Sequence, residues 1–369
     1  MNKATKIIVV LVAVVGVAIL LYFAFRPPAT PGPEREGAAP VFSLAWSEYP
    51  SWSTYGVADL VGLIDGKRGR MGPIEKKWGV DIELKEADYD TCILMYGSNQ
   101  CDAACLTNMD ALNPSLSRPT VGILPNSTSF GADACIVGEG IKTVKDLRGK
   151  NVYGLKKTVS EYCFVRCLEI LGENEKDHNF TNMDPGAAAL AFQQKKPEYQ
   201  AIMVWNPFTV EALSKRPDSK RLFDSTSIPG EIVDMVVMGQ ASLNKPGGEA
   251  FACAVIDTYY AINRRLADPK TRADTLRALA EKFAKIDMDA MEQCVTQTRF
   301  YATAEEGVKL YTGDEFKAVN ERVLKFCVTH EIVSKPPTIG YGDKQAAPDV
   351  TLRIDPTYIR QVQARLKAE

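Results

Sequence analysis

The alternation of short apolar segments with amphipathic ones over residues 42–225 constrains the fold of this chain most strongly. Strand-like segments at 42–46, Asp81–Glu86 and 102–107 are separated by helix candidates such as 57–64. Strands that alternate with helices pair mainly in parallel, and the helices cover both faces of the sheet. The pattern therefore predicts an α/β fold with mixed, mainly parallel sheets flanked by helices.

A second α/β unit is expected from about residue 139, with strands over 151–154, 180–182 and 201–205. An apolar segment over 234–238 then predicts that the chain returns to the first sheet. Together these segments predict two lobes, between which the chain crosses twice. The expected boundaries are 41–138 plus 232–340 for lobe 1, 139–231 for lobe 2 and 341–369 for a C-terminal tail.

The last third of the chain is expected to be a helical run. From residue 247 apolar side chains recur every three to four residues, as Ile256 and Tyr260 do, which is the period of a helix packed on one face. The tail is expected to be loop-rich up to a short helix near 356–367. The expected helices before it are 248–267, 270–285, 288–299, 304–311 and 314–330.

Composition places the chain among globular proteins. Its 369 residues predict two or three domains, and 46% hydrophobic with 24% charged residues excludes a disordered chain. The formal net charge is −2 and no domain is strongly basic, so we expect no nucleic-acid partner.

The N-terminus is far more apolar than the average. Residues 7–25 are 19 residues without a charge, and a helix of that length spans about 28 Å, close to a bilayer core of ~30 Å. Residues 1–26 are therefore expected to be a transmembrane anchor, with a cleaved export signal as the alternative. Lys3 and Lys6 would keep the N-terminus in the cytoplasm. The proline-rich segment 27–40 predicts an extended spacer.

Cysteine and histidine usage argues against a metal site, a cofactor or catalysis. Nine cysteines lie mostly in apolar segments, without a CxxC pair, and are expected to be small buried side chains. Only His178 and His330 are present, so Cys–His or Ser–His catalysis is poorly supported.

Several segments resemble the nitrate, taurine and sulfonate-binding family of periplasmic solute-binding proteins of ABC importers. Residues 140–152 (GIKTVKDLRGKNV) resemble the segment that opens the second lobe in this family, which includes thiamine-pyrimidine precursor binders. Residues 102–104 (DAA) and 201–207 (AIMVWNP) resemble two of its strands. Residues 45–52 (AWSEYPSW) and 234–237 (DMVV) are similar to a subgroup linked to urea or urea carboxylase.

The resemblance covers about residues 40–330 and implies a two-lobed, type II-like periplasmic-binding-protein fold. It also implies a non-catalytic monomer that binds a small solute and delivers it to an ABC permease with its ATPase. The expected location is the periplasmic side of the cytoplasmic membrane, with attachment to the membrane through the N-terminal helix.

Loops at the carboxyl ends of the strands supply the candidate site, because ligands of open α/β sheets bind there, near helix N-termini. These loops are rich in hydroxyl, amide, carboxylate and aromatic side chains. Simple helix capping is the alternative for Asp110 and Asp184, and core packing for Trp205. The candidate ligand-binding residues are Ser47, Glu48, Tyr49, Trp52, Thr107, Asn108, Asp110, Thr128, Ser160, Tyr162, Asp184, Trp205 and Asn206.

The charge of these loops favours a nitrogen-containing ligand. Glu48, Asp110 and Asp184 are acidic, whereas a sulfonate or nitrate site would favour arginine. Carboxylates beside aromatic rings suit an amide, amidine, amine or heterocyclic base.

Three other functions remain open from the sequence. A sulfonate, taurine or nitrate binder of the same family is the first. The second is an enzyme similar to the thiamine-pyrimidine synthases, although this chain lacks their cysteine cluster and active-site histidine. The third is an anchored sensor domain, which would need a separate signalling partner.

Overall fold

The computed structural model describes residues 39–283, 286–342 and 349–369. Their compact unit is Pro40–Glu369. The expected anchor or signal over 1–26 and most of the expected spacer over 27–40 lie outside the described residues. Within the described part, no helix is both long and apolar enough to cross a membrane.

The first lobe is built on a mixed eight-stranded sheet. Its order is β12-β13-β4-β10-β3-β1-β2, and β11 pairs with β4. Strand β10 runs antiparallel to both of its neighbours, whereas β1 is parallel to β2 and β3. The strands are β1 (Val41–Trp46), β2 (Asp81–Glu86), β3 (Ala103–Thr107), β4 (Thr120–Ser129), β10 (Val233–Gly239), β11 (Thr298–Phe300), β12 (Ile339–Tyr341) and β13 (Leu352–Ile354).

The second lobe is built on a five-stranded sheet with the order β7-β6-β8-β5-β9. Strand β6 is parallel to β7 and β8, and β5 is antiparallel to β8 and β9. The strands are β5 (Ala134–Val137), β6 (Asn151–Gly154), β7 (Asn179–Asn182), β8 (Ala201–Val204) and β9 (Lys220–Asp224).

Helices cover both sheets. In the first lobe α9 packs on α1, α10 and α14, and in the second lobe α6 packs on α7 and β8. The helices are α1 (Ser53–Leu60), α2 (Pro73–Trp78), α3 (Tyr89–Gly97), α4 (Leu112–Ser115), α5 (Val159–Ile170), α6 (Pro185–Gln193), α7 (Phe208–Lys215), α8 (Gln240–Leu243), α9 (Gly248–Ala267), α10 (Pro269–Phe283), α11 (Met288–Gln297), α12 (Ala304–Thr312), α13 (Asp314–Thr329) and α14 (Thr357–Ala368).

Two crossing segments join the lobes. The first crossing segment (130–133) connects β4 to β5, and the second crossing segment (225–232) connects β9 to β10. They bond to each other, because the Ser225 hydroxyl accepts from the Gly131 N–H at 2.7 Å and lies 2.7 Å from the Ser129 hydroxyl. A pair of adjacent crossings is the arrangement from which hinge closure between lobes is built.

Strand β4 is longer than the sequence predicts. The apolar pattern over 121–125 predicts a strand that ends there and leaves Asn126, Ser127 and Thr128 in a loop, whereas the structure extends β4 through Ser129. The polar side chains remain in the sheet because they find buried partners there: Ser127 donates to Asp234, and Thr128 donates to the Ile232 carbonyl. Sequence periodicity does not reveal such cross-strand partners.

The sheet pairings place two segments differently from the expected boundaries. Strand β5 pairs within the second sheet, although lobe 1 was expected to extend to residue 138. The expected loop-rich tail contains β13, which pairs with β4 and buries Leu352 and Ile354 in the first sheet. The pairing partner decides both cases, and a four-residue or three-residue apolar segment does not identify its partner.

The other helices and strands lie close to the positions that the sequence predicts, with bounds shifted by a few residues. The helical run after residue 247 is interrupted by β11, and α1 begins at Ser53 instead of residue 57. All nine cysteines are buried, which confirms the expectation for these side chains.

Candidate functional site

A small cavity lies between the two lobes. Its free volume is about 10 Å³, the space of about one water molecule, so the lobes are closed on each other around it. The sequence identified four of the side chains that line it. The lining residues are Tyr49, Trp52, Tyr89, Thr107, Asp133, Val159, Trp205, Ile232 and Asp234.

A chain of aromatic rings crosses the cavity from one lobe to the other. The ring centroids of Tyr49 and Trp52 are 5.2 Å apart, and Trp52 stacks on Tyr89 at 5.3 Å with a 21° interplanar angle. Tyr89 then meets Trp205 of the second lobe edge-on, at 5.7 Å and 78°. These separations are typical of favourable aromatic pairs, so the rings form one continuous apolar wall.

A tight turn after β1 brings Tyr49 and Trp52 to this wall. The Tyr49 carbonyl accepts from the N–H groups of Trp52 and Ser53, at 3.0 and 2.8 Å, and α1 begins at once. Tyr89 is the first residue of α3, whose N-terminus is capped by the Asp88 carboxylate. Both aromatic segments therefore lie at the carboxyl edge of the first sheet, where ligands of α/β folds bind.

Asp110 is held by residues of the first lobe and faces the second. Its carboxylate accepts from the Tyr89 hydroxyl at 2.8 Å and from the Thr107 hydroxyl at 2.9 Å. Burial raises its pKa to about 6, and hydrogen bonds from these two side chains and the Val159 backbone oppose that shift. Asp110 thus lies against the N-terminus of α5 and does not act as a helix cap.

Two carboxylates line the cavity itself. Asp234 lies on β10 and accepts from the Ser127 hydroxyl, and Asp133 ends the first crossing segment. Burial raises the pKa of Asp133 to about 7, with the charge of Asp110 adding to the shift. Burial also raises the pKa of Asp234 well above its usual range, and the charge of Asp133 contributes. Asp133 therefore interacts electrostatically with both Asp110 and Asp234.

Glu48 adds a fourth carboxylate near the cavity without lining it. Burial raises its pKa to about 7, and the charges of Asp184, Asp88 and Glu86 raise it further, while its own backbone N–H lowers it. Asp184 itself is exposed and caps α6 by accepting from the Ala187 N–H at 2.8 Å. The capping alternative for Asp184 therefore agrees with the structure.

No lysine or arginine is among the described residues that line the cavity. Lys156 and Lys157 lie in the loop between β6 and α5. Both are exposed, and the Lys157 ammonium lies 3.5 Å from the Glu331 carbonyl. The cavity is therefore acidic and aromatic. An anion placed in it would meet several carboxylates and no basic side chain.

One donor of the cavity wall lacks a partner in the described part of the chain. The Tyr49 hydroxyl is buried beside the hydroxyls of Thr298 and Ser129, which oppose the rise of its pKa. The Trp52 indole N–H makes no hydrogen bond among the described residues. Its side chain is 3% exposed, so bulk water does not satisfy it. Buried polar groups without partners are rare in native proteins, and each one calls for an explanation.

The remaining sequence candidates lie outside the cavity lining. Asn108 donates to the Glu231 carbonyl, and the Tyr162 hydroxyl donates to the Glu231 carboxylate. Thr128 and Asn206 bond Ile232 and Gln297. The candidates that do not line the cavity are Ser47, Glu48, Asn108, Asp110, Thr128, Ser160, Tyr162, Asp184 and Asn206.

Sequence reasoning missed Tyr89, Asp133 and Asp234. Tyr89 lies three residues after the end of β2 and opens a helix, so the strand-end rule covers it, whereas Asp234 lies inside β10. A signal for Asp234 was present, because a lone carboxylate in the apolar segment VDMVVM costs free energy unless it has a partner or a function.

This chain is similar to known proteins in sequence and in structure. No family model matches the chain. A protein of Brucella abortus (strain 2308), named only as a binding protein, is 25% identical over 268 residues, which are 68% of this chain and 82% of that protein.

Two solved structures share the architecture, and the first is described as periplasmic. The aliphatic sulphonate binding protein of Escherichia coli matches with a TM-score of 0.63 and 18% identity, over 80% of this chain and 89% of that one. The alkanesulfonate-binding protein of Xanthomonas axonopodis pv. citri, bound to MOPS, matches with a TM-score of 0.64 and 14% identity, over 80% of this chain and 95% of that one. The chain has the two-lobed periplasmic-binding-protein fold, with mixed sheets and flanking helices, that its sequence predicts.

Proposed function

We propose that this protein is the solute-binding component of an ABC importer. In this role it captures a small nitrogen-containing solute, such as an amide, amidine or amine, between its lobes and delivers it to a membrane permease. The two-lobed fold supports a binding role, as do the names of the relatives, which are binding proteins and not enzymes. The sulphonate-binding relative from Escherichia coli, which is described as periplasmic, supports action outside the cytoplasm.

The N-terminal apolar run supports the same location. Residues 7–25 would export the chain and either anchor it or be cleaved as a signal. The similarity of residues 45–52 to the urea-linked subgroup is compatible with a nitrogen-rich solute, and it remains a prediction.

The charge of the cavity carries the proposal. Asp133 and Asp234 line it, Asp110 lies behind its wall, and the lining contains no basic side chain among the described residues. N–H donors of a nitrogenous solute match carboxylate acceptors, and the rings of Trp52 and Trp205 offer faces to a cationic or planar group.

A sulfonate is the second candidate, because the two solved relatives are named as binders of aliphatic sulphonate and of alkanesulfonate. A helix N-terminus is a common anion site, and the N-terminus of α5 reaches this cavity through Val159. In this closed arrangement, however, the Asp110 carboxylate is a hydrogen-bond acceptor of the Val159 backbone. A sulfonate would have to displace that carboxylate or lie beside it.

Calorimetry with a solute panel tests the proposal. The purified protein is titrated with urea, acetamide, acetamidinium, guanidinium and methylammonium, and separately with taurine, ethanesulfonate and nitrate. We expect micromolar or tighter binding, about −8 kcal/mol, by at least one of the first five compounds, and no binding of taurine, ethanesulfonate or nitrate. Mass spectrometry of solutes that co-purify gives an independent identification. Micromolar binding of taurine or nitrate, with no binding of urea, acetamide, acetamidinium, guanidinium or methylammonium, would contradict the proposal.

A further inference from the structure

The two cavity aspartates face one space from different elements. Asp234 belongs to β10 of the first sheet, and Asp133 is the last residue of the first crossing segment, next to β5 of the second sheet. Each side chain is 2% exposed, and both line the same cavity. One of the two carboxylates therefore lies where the chain crosses between the lobes.

Neither aspartate has a basic partner in the described part of the chain. Asp234 is bonded by the Ser127 hydroxyl, which itself lies 2.8 Å from the Ser51 hydroxyl. The hydroxyl of Ser129 provides the side-chain hydrogen bond of Asp133. Neutral hydroxyls do not cancel a carboxylate charge, and a buried charge without a counter-charge is strongly unfavourable.

The unpartnered Trp52 indole N–H is a second sign of a ligand, since it lines the same cavity without a partner among the described residues. The Tyr49 hydroxyl is close enough to Asp133 and Asp234 for both charges to raise its pKa, after burial itself, and the hydroxyls of Thr298 and Ser129 oppose that rise. Two carboxylates without a counter-charge and one indole N–H thus surround a space that the protein's own side chains leave unsatisfied.

The chemistry of the missing partner is restricted. Among the described residues, no three carboxylate, thiol or imidazole side chains are arranged to hold a metal ion. A monovalent organic cation needs fewer ligands than a metal ion, and its N–H groups can donate to two carboxylates at once. The aromatic faces of the wall also favour a cation.

On the basis of the proposed function, we propose that the ligand is a small organic nitrogen cation and that Asp133 and Asp234 bind it together. The cation links the first sheet to the first crossing segment, because one carboxylate belongs to each. Tyr49 offers its hydroxyl oxygen to a ligand N–H, and the Trp52 ring covers one face. Charge is then the main determinant of specificity, so that a neutral molecule of the same shape binds weakly.

Pairs of ligands that share a shape and differ in charge test this inference. Acetamidinium is compared with acetamide, and guanidinium with urea, by calorimetry at about pH 8. We expect the better cation to bind at least about 100-fold more tightly than its neutral partner, as charge-assisted hydrogen bonds to two buried carboxylates require. Asp133→Asn and Asp234→Asn are each expected to weaken cation binding at least about tenfold and to change acetamide or urea binding less than about threefold.

Asp287→Asn is the matched control, because Asp287 is an exposed helix cap outside the cavity lining and Asn caps a helix about as well. It should leave cation affinity unchanged, and thermal unfolding establishes that each variant is folded. Equal affinity for urea and guanidinium, or full cation affinity in Asp133→Asn, would overturn the inference but leave the proposed function intact. Binding of sulfonates or nitrate alone would overturn both.

Discussion

Acetamidinium should bind about 30-fold more tightly at about pH 8 than at about pH 5.5, because its carboxylate partner must be ionised. The pKa of Asp133 is raised to about 7, so this group is mostly protonated at the lower pH and mostly ionised at the higher one. Acetamidinium stays protonated across the range. The affinity should therefore rise with pH and level off above about pH 8.

Other titrating groups around the cavity act in the same direction. Asp110 has a pKa of about 6 and Glu48 of about 7, and the pKa of Asp234 is also raised. The raised pKa of Tyr49 keeps its hydroxyl protonated. Each additional carboxylate that ionises on binding makes the pH dependence steeper.

Calorimetry in buffers of different ionisation enthalpy measures this coupling. Cation binding lowers the pKa of the bound carboxylates, so protons should be released to the buffer when the measurement is made near pH 7. Asp133→Asn should release fewer protons than the wild type. An affinity that does not depend on pH, or that increases at low pH as an anion's would, contradicts the expectation.

Asp133→Asn should stabilise the ligand-free protein at about pH 8, by up to about 4 kcal/mol, although it impairs ligand binding. Burial raises the pKa of Asp133 from 3.8 to about 7. A carboxyl group whose pKa is raised on folding contributes stability that is complete below its unfolded pKa and is lost as the pH rises through the folded value. Asparagine is neutral at every pH and avoids that loss.

Chemical denaturation of the ligand-free proteins across pH measures the effect. The wild type should lose stability between about pH 4 and pH 8, and Asp133→Asn should lose less, so that the two curves diverge as the pH rises. Asp287→Asn should follow the wild type, because the carboxylate it replaces is exposed. Parallel curves for Asp133→Asn and the wild type would show that Asp133 is not an uncompensated buried charge. A functional carboxylate that reduces stability is the familiar trade-off between function and stability.

The main elements of the fold could be predicted from the sequence, because they depend on local pattern. The apolar β1 and β10 and the long amphipathic α9 are recognisable without knowledge of their neighbours. The extension of β4 through Ser129 and the pairing of β13 with β4 depend on partners far away in the sequence. Local pattern does not contain that information.

The site was predictable to the extent that it follows the strand-end rule. Four of the predicted side chains lie at or just after strand ends and line the cavity: Tyr49, Trp52, Thr107 and Trp205. Asp234 lies within a strand, and Asp133 lies in a crossing segment whose position depends on the second sheet. The sequence thus indicated an acidic, aromatic cleft, and the structure identified which of its carboxylates lack a counter-charge.

A crystal structure of the protein grown with acetamidinium tests the central claim most directly. The present cavity has the volume of about one water molecule, so the lobes must move apart to admit acetamidinium. We predict the amidinium in the widened cavity, with its nitrogens within hydrogen-bond distance, about 2.7–2.9 Å, of carboxylate oxygens of Asp133 and Asp234. Acetamidinium bound elsewhere, or a sulfonate from the crystallisation buffer seated at the N-terminus of α5 in place of the Asp110 carboxylate, would contradict it.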